Sequence, residues 1–187
     1  MKTALAILRG INVSGQKRVP MNELKHLVEE LNCQQVKTYV QSGNVVFTHS
    51  AADEEQLRKQ IEKKIVETFG FQVPVLIRSL NELTGIVAHN PFLQEDHTDL
   101  DKLHVTFLAD VPDTLNRDKL KELAVGTDRF FLSGKELYVY CPGGYGNTKL
   151  SNTFFENKLK VTATTRNWKT VNELLKMMHS LSPNTER

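Results

Sequence analysis

The chain has 187 residues, of which 40% are hydrophobic and 25% are charged, and its formal net charge is +2. This length suits one large domain or two small ones, and the composition is that of a folded globular protein and not of a disordered chain. The net charge is too small to mark a dedicated nucleic-acid-binding protein. No apolar run is long enough for a signal peptide or a membrane span, so we expect a cytoplasmic protein with no membrane segment. Cys33 and Cys141 lack any metal-ligand spacing, which predicts buried, reduced thiols.

The charges are distributed unevenly along the chain. Residues 1–22 contain four basic residues and no acidic one, and residues 145–187 contain seven basic and three acidic residues. Residues 91–144 contain ten acidic and six basic residues. A solvated surface would explain any single lysine. Because both basic ends also contain Gly- and Asn-rich loops, the pattern favours one anion site shared by the two ends.

The first half of the chain predicts the order βαββαβ. Its four strands are expected at Leu5–Leu8, Val36–Val40, Asn44–Thr48 and Gln72–Ile77. Pro20 opens a helix whose apolar residues recur with the 3.6-residue period, and Gln41-Ser42-Gly43 reads as a hairpin turn. Ser50 to Asp53 forms a capping-box pattern that starts a second helix, and Gly70 ends that helix.

The second half predicts the same order after a short helix at Leu80–His89 and a connection over residues 90–101. Its strands are expected at His104–Ala109, Phe130–Leu132, Glu136–Cys141 and Val161–Thr164, and its helices at Pro112–Ala124, at Ser151–Leu159 and from Trp168. The helix from Pro112 should bury Leu115, and Ser133-Gly134-Lys135 reads as a hairpin turn. Thr170 and Glu173 have the spacing of a capping box for the last helix.

These elements predict an α+β fold of two tandem ferredoxin-like (βαββαβ) units with antiparallel sheets and an added C-terminal helix. The expected division is a first unit over residues 1–79, a helix and connection over 80–101, and a second unit over 102–187. A continuous doubly wound sheet is the alternative architecture. The two short hairpins disfavour it because they require antiparallel strand pairs.

The N-terminal loop, residues 9–20, joins the first strand to the first helix. Arg9, Asn12 and Lys17 belong to it, and we expect Ser42 and Asn44 of the nearby hairpin turn to complete the site. A strand, a Gly-containing loop and a helix start place backbone amides and the helix dipole where an anion binds. The structural alternative is that the glycines serve the turn and that Arg9 pairs with a carboxylate.

The Gly-rich loop, residues 143–149, also lies between a strand and a helix. Tyr145, Asn147 and Lys149 are its candidate ligand-binding residues, but Thr148 and Leu150 occupy the positions where a P-loop needs Gly and Ser or Thr. The segment Arg166-Asn167-Trp168 adds a guanidinium for phosphate or carboxylate and an indole that could stack on a base or sugar. The alternative for Trp168 is packing on the core.

A family resemblance rests on two segments of the chain. The first contains LRGINVSG and, further on, TYVQSGNVVF; the second is NTKLSNTFFENKLKVTATTRNWKTV. The chain resembles the domain of unknown function 1697 family over nearly its whole length. The resemblance implies a two-part protein with ferredoxin-like halves, and it brings no activity, cofactor or catalytic residue. Ser14 stands where members often have a second Gly, and Cys33 stands where Gly is frequent.

The sequence contains no recognisable catalytic constellation, and the acidic residues around His97 (Asp96, Asp99 and Asp101) read as a solvated loop, so we expect no metal and no cofactor. We therefore expect a binder of a phosphorylated small molecule or a nucleic acid; the oligomeric partner is left open. The alternatives are an enzyme that uses Arg9, Lys149 and Arg166 as electrostatic stabilisers with an unidentified general base, or a structural or partner-binding protein. The GNVVF strand lacks the basic lead residue and the other stacking aromatic residues of an RNA-recognition motif, since only Phe47 fits.

Overall fold

The computed structural model describes residues 1–182 and has an α+β architecture. Within those residues it contains two four-stranded antiparallel sheets and six α-helices. Contacts divide the described residues into a first compact unit, Met1–Gly85 together with residues 173–182, and a second unit, Ile86–Asn172. This division differs from the expected bounds, because most of the last helix groups with the first unit. No helix within residues 1–182 has the length and hydrophobicity needed to span a membrane.

The first unit follows the order βαββαβ. Its strands are β1 (Lys2–Leu8), β2 (Gln34–Thr38), β3 (Asn44–His49) and β4 (Val75–Ser79), and its helices are α1 (Met21–Glu29), α2 (Glu54–Phe69) and the start of α3 (Leu80–Ala88). The strand order in the sheet is β2-β3-β1-β4, and every pair is antiparallel. The apolar strand β1 therefore lies between two partners, as its continuous burial requires.

Helices α1 and α2 contribute to the core of the first unit. Leu24, Leu27 and Val28 of α1 are buried in one apolar cluster with Ile61 and Ile65 of α2 and with residues of the sheet. The expected capping box at Ser50 is wrong, because Asp53 itself is the N-cap and its carboxylate accepts from the backbone N–H of Glu55 and Gln56. Gly70 ends α2 in the left-handed conformation, as predicted.

The second unit has the same order, βαββαβ. Its strands are β5 (Leu103–Leu108), β6 (Arg129–Ser133), β7 (Glu136–Tyr140) and β8 (Ala163–Asn167); its helices are α4 (Thr114–Lys121), α5 (Asn152–Leu159) and α6 (Trp168–Leu181), which continues into residues of the first unit. The strand order is β6-β7-β5-β8, again fully antiparallel. Two separate antiparallel sheets exclude the doubly wound alternative.

Several details of the second half differ from the sequence prediction, including the bounds of α4, which is shorter than the expected Pro112–Ala124. Leu115 was expected to be buried, but it lies in the first turn of α4 and is 64% exposed. The cap of α6 is Asn167, whose Oδ1 accepts from Thr170 N at 2.8 Å, so the capping box expected at Thr170 is wrong. Strand β8 begins and ends later than predicted, because its pairing with β5 starts at Ala163 and extends to Asn167.

Candidate functional site

The backbone of the N-terminal loop is tightly folded. Five of its residues have positive φ angles: Gly10 (71°), Asn12 (53°), Ser14 (50°), Gly15 (74°) and Lys17 (45°). The N–H of Asn12 donates to Lys17 O at 3.1 Å, which closes the loop on itself. Gly and Asn tolerate left-handed backbone, whereas Ser14 and Lys17 adopt it at an energetic cost. The loop therefore has a defined shape that its Gly and Asn content permits.

The side chain of Asn12 holds this shape. Its Nδ2 donates to Val19 O at 3.0 Å and to Gln41 O at 2.8 Å, and its Oδ1 accepts from Val19 N at 2.8 Å. Both functional atoms of the amide are thus engaged by backbone groups, at Val19 near the end of the loop and at Gln41 in the hairpin turn. Asn12 therefore holds the shape of the loop.

The hairpin turn between β2 and β3 has its own internal bonds. Nδ2 of Asn44 donates to Tyr39 O at 2.9 Å and to Ser42 Oγ at 3.1 Å, and Asn44 is fully buried. The carbonyl oxygen of Gly43 accepts from Leu8 N at 2.9 Å, which attaches the turn to the end of β1. The predicted site residues Ser42 and Asn44 therefore shape the turn beside the N-terminal loop.

A pocket of about 330 Å³ opens at the start of α1. It is lined by Asn12, Arg18, Val19, Pro20, Met21, Asn22 and Gln41. Pro20 is the N-cap residue, and no side chain caps the first turn of the helix. The backbone N–H groups at this end therefore face the pocket region without a capping side chain, and Arg18 contributes a cation at its rim.

Arg18 was not among the predicted site residues. Its only signal in the sequence is that it is a basic residue two positions before a helix-starting proline. By contrast, the predicted residues Arg9 and Lys17 are not part of the pocket lining. The Nζ of Lys17 donates to Gln72 O at 2.8 Å, and the N–H of Arg9 donates to Pro74 O at 2.9 Å. These bonds connect the N-terminal loop to the segment that precedes β4.

In the second unit, the Gly-rich loop forms a short 3₁₀ turn at Tyr145–Asn147. The ring of Tyr145 stacks on His104 of β5 with a centroid distance of 4.5 Å, and Nδ2 of Asn147 donates to Gly143 O at 2.9 Å. Lys149 is exposed. Of the three predicted ligand-binding residues of this loop, Asn147 and Lys149 are exposed, whereas Tyr145 is partly buried.

Thr148 fixes the end of the Gly-rich loop. Its hydroxyl donates to the carboxylate of Asp128 and accepts from Leu150 N at 3.0 Å. Thr148 thus occupies the position of the P-loop glycine with a side chain that is already bonded. A P-loop has a glycine at this position, which has no side chain to form such bonds.

The segment that follows the Gly-rich loop and α5 is mostly buried. Nη1 of Arg166 donates to Thr164 Oγ1 and to Thr165 O, both at 2.9 Å, and burial lowers the pKa of Arg166 to about 10. Arg166 is therefore still a cation at neutral pH. Asn167 caps α6, and Trp168 is only 6% exposed, which leaves little indole surface for stacking on a ligand.

The two groups of predicted residues therefore lie in different compact units. Arg9, Asn12, Lys17, Ser42 and Asn44 belong to the first unit, and the other six residues, from Tyr145 to Trp168, belong to the second. That they form one shared pocket stays a prediction. Within residues 1–182, no three His, Cys, Asp or Glu side chains come together as a metal site.

Comparison with known proteins places the chain in a family. The model of the family described as protein of unknown function, DUF1697, matches residues 1–138. The chain belongs to this family. The DUF1697 match includes the N-terminal loop and the hairpin turn, and it ends before the Gly-rich loop. No curated protein matches the chain.

A solved structure is similar over almost the whole chain. It is that of the conserved bacterial protein SP0830 from Streptococcus pneumoniae, with a TM-score of 0.70 and 21% sequence identity. The alignment covers 95% of this chain and 98% of that protein. At this identity the likeness supports the fold of this DUF1697 member alone.

Proposed function

We propose that this protein binds an anionic, phosphorylated or nucleotide-like ligand, and that the pocket at the start of α1 is the binding site. The observation that carries the proposal is the coincidence of three features there. The first turn of α1 has no capping side chain, Arg18 lies at the rim, and the pocket has room for a phosphate with an attached group. An uncapped helix start supplies N–H donors and a partial positive charge.

The polar residues of the lining suit such a ligand. Gln41 and Asn22 line the pocket beside Arg18, and amide side chains donate to or accept from sugar and base groups. Arg18 is followed by Val19, whose backbone is held by Asn12. The site therefore combines one exposed cation with a backbone held by hydrogen bonds, an arrangement that fits a small ligand better than a long polynucleotide.

The strength of the site follows from these groups. A helix N-terminus stabilises an anion by about 0.3–1 kcal/mol at an exposed position, and a hydrogen bond to a charged group contributes about 1.5–3 kcal/mol. Arg18 is exposed, so the lower end of this range applies. Since 1.4 kcal/mol corresponds to a tenfold change in affinity, removal of Arg18 should weaken binding roughly tenfold. Binding should also weaken as salt concentration rises.

Calorimetric titration with inorganic phosphate, adenosine monophosphate and a short single-stranded RNA tests this proposal. Arg18→Ala should lower the affinity about tenfold. The matched control is Lys25→Ala. Lys25 lies on α1 but outside the pocket, and its substitution also removes one positive charge. The proposal fails if none of the three ligands binds at low salt, or if both variants change the affinity equally.

A structural role for the loops is the second candidate function. The amide side chains of Asn12, Asn44 and Asn147 all donate to backbone carbonyls of their own loops or turns. On this reading Arg18→Ala changes no ligand affinity, whereas removal of an asparagine amide lowers the melting temperature. Measuring both quantities on the same variants separates the two candidates.

The finer description of the fold is also a proposal. Each unit has the order βαββαβ. When the strands of each unit are numbered 1 to 4 along the chain, their order across the sheet is 4-1-3-2 in both units. These features support two tandem ferredoxin-like units.

We also propose a cytoplasmic location, since Cys33 and Cys141 are buried free thiols.

A further inference from the structure

Strand β6 forms one edge of the second sheet. Among residues 1–182 it pairs only with β7, in a regular register from Arg129↔Tyr140 to Ser133↔Glu136. The hairpin has a two-residue turn, so Ser133 and Glu136 are a hydrogen-bonded pair, and the pairs alternate from there. The backbone N–H and C=O groups of Phe130 and Leu132 therefore point away from β7, towards the open edge.

The corresponding strand of the first unit, β2, is an edge protected against further pairing. Its register with β3 shifts between Gln34 and Lys37, which marks a bulge, and Gln35 has a positive φ of 53°. Lys37 is exposed on it. Bulges and lysines are the devices by which edge strands avoid pairing with other chains. Strand β6 has neither a bulge nor a lysine, although it occupies the same position in its unit.

An apolar groove runs along the edge of β6. It has a volume of about 440 Å³, and its lining residues include Phe92, Leu123, Val125, Phe130 and Phe131. Phe130 and Phe131 are neighbours in a strand, so they point to opposite faces of the sheet, and both line the groove. The groove therefore follows the edge itself. Phe131 is 53% exposed in it.

The charges of this groove balance. Arg129 is the one charged residue of β6, and it is held by Glu95 through two hydrogen bonds of 2.9 and 2.7 Å. Lys121 and Asp128 also line the groove. It thus carries two basic and two acidic side chains, and a second copy with the same set meets it without net repulsion.

We propose that β6 is a dimerisation edge, on which β6 of a second copy pairs in antiparallel orientation to give a continuous eight-stranded sheet. A two-fold axis at Phe131 places Phe130 of one copy opposite Leu132 of the other, and the outward N–H and C=O groups of these residues then pair. The two Phe131 side chains meet as a non-hydrogen-bonded pair, in which side chains lie closest. This pairing covers the exposed aromatic surface of both copies.

Sedimentation equilibrium over a range of protein concentrations tests the proposal. The wild-type chain should reversibly form a dimer. Phe131→Lys should raise the dissociation constant of that dimer at least tenfold, which shifts the equilibrium towards the monomer. The control is Leu115→Lys, which places the same charge at a similarly exposed leucine on α4 of the same unit. Far-UV circular dichroism verifies that both variants are folded.

Hydrogen exchange supplies a second readout. The amides of Phe130 and Leu132 should become protected as the wild-type concentration rises, and they should stay unprotected in Phe131→Lys. A monomeric wild-type chain at millimolar concentration overturns the proposal. So does a dimer that Phe131→Lys leaves intact, because its interface must then lie elsewhere. Binding of an unrelated extended peptide by a strictly monomeric chain would assign the edge to a different partner and also count against it.

Discussion

Gly43 lies directly against Ile11: a Cβ atom at Gly43 would be 2.7 Å from Ile11 Cδ1 and 2.8 Å from Leu8 Cβ. The hairpin turn and the N-terminal loop therefore approach each other more closely than any residue with a side chain allows. The φ angle of Gly43 is 84°, a conformation that also favours glycine. This contact joins the two parts of the sequence that border the pocket at the start of α1.

Gly43→Ala should lower the free energy of unfolding by about 2–4 kcal/mol, because it adds left-handed strain and overpacks a core contact. Urea denaturation of the purified variant measures this loss. The control is Gly15→Ala in the N-terminal loop, where φ is 74° and a Cβ would meet no atom within 4 Å. That variant should lose only about 1 kcal/mol. Equal losses would mean that close packing at Gly43 contributes nothing.

Asn12→Gly tests the amide clamp of the N-terminal loop, that is, the three hydrogen bonds of the Asn12 side chain. Glycine tolerates the φ of 53° at this position, so the substitution removes the three side-chain hydrogen bonds and leaves the backbone unstrained. We expect a loss of about 2 kcal/mol in unfolding free energy, from bonds that contribute about 0.5–1.5 kcal/mol each. Ser14→Gly, which relieves strain in the same loop, should be neutral or slightly stabilising. An unchanged stability in Asn12→Gly would contradict the clamp.

The order of the elements was predictable because it depends on local patterns. The apolar run of β1 and the 3.6-residue period of α1 reflect which residues face a core. Helix ends were less predictable. Ser50 and Asp53 both have N-cap chemistry, and the choice of Asp53 depends on where the chain leaves β3. Leu115 fits the helical period, but at the first turn of α4 the period alone does not say whether a core lies beneath it.

The N-terminal loop was predictable as a distinct feature, but the residues that line the candidate pocket beside it were not, since of the predicted residues only Asn12 lines it. Gly and Asn content located the N-terminal loop, since those residues tolerate the backbone it needs. The bond from Asn12 to Gln41 O joins residues 29 positions apart, and no local pattern indicates it. The same holds for the pocket beside Arg18, which exists only because the loop folds back over the start of α1. Tertiary contacts, not composition, decide which polar groups remain for a ligand.

The two cysteines should react slowly in the folded protein. Burial raises the pKa of Cys33 to about 11, and burial also raises the pKa of Cys141 above its ordinary value. At pH 8 about one Cys33 side chain in a thousand is therefore the reactive thiolate. We expect Ellman's reagent to label both thiols rapidly only in concentrated guanidinium chloride. Rapid labelling of the native chain would show that one of the thiols is accessible.

His49 should make the stability of the first unit depend on pH. Its ring is 2% exposed, and neither ring nitrogen has a hydrogen-bond partner within residues 1–182. Burial lowers the pKa of His49 below its ordinary value of 6.5, and the positive charges of Lys2 and the N-terminal amine lower that pKa further. The carboxylate of Glu54, 3.7 Å from Nε2, acts in the opposite direction and raises the pKa. The folded state thus binds fewer protons than the unfolded chain. Stability is fully present above pH 6.5 and is lost as the pH falls towards the folded-state pKa.

The slope that one histidine contributes is at most about 1.4 kcal/mol per pH unit, so the measurement is the difference between variants. Urea unfolding of the wild type and of His49→Phe at several pH values below 6.5 should show a stability difference that shifts in favour of the variant as the pH falls. Burial also lowers the pKa of His104 in the second unit, so His104→Phe should remove a separate part of the slope. The assignment to His49 fails if His49→Phe retains the full wild-type slope, because other titrating groups would then account for the pH dependence.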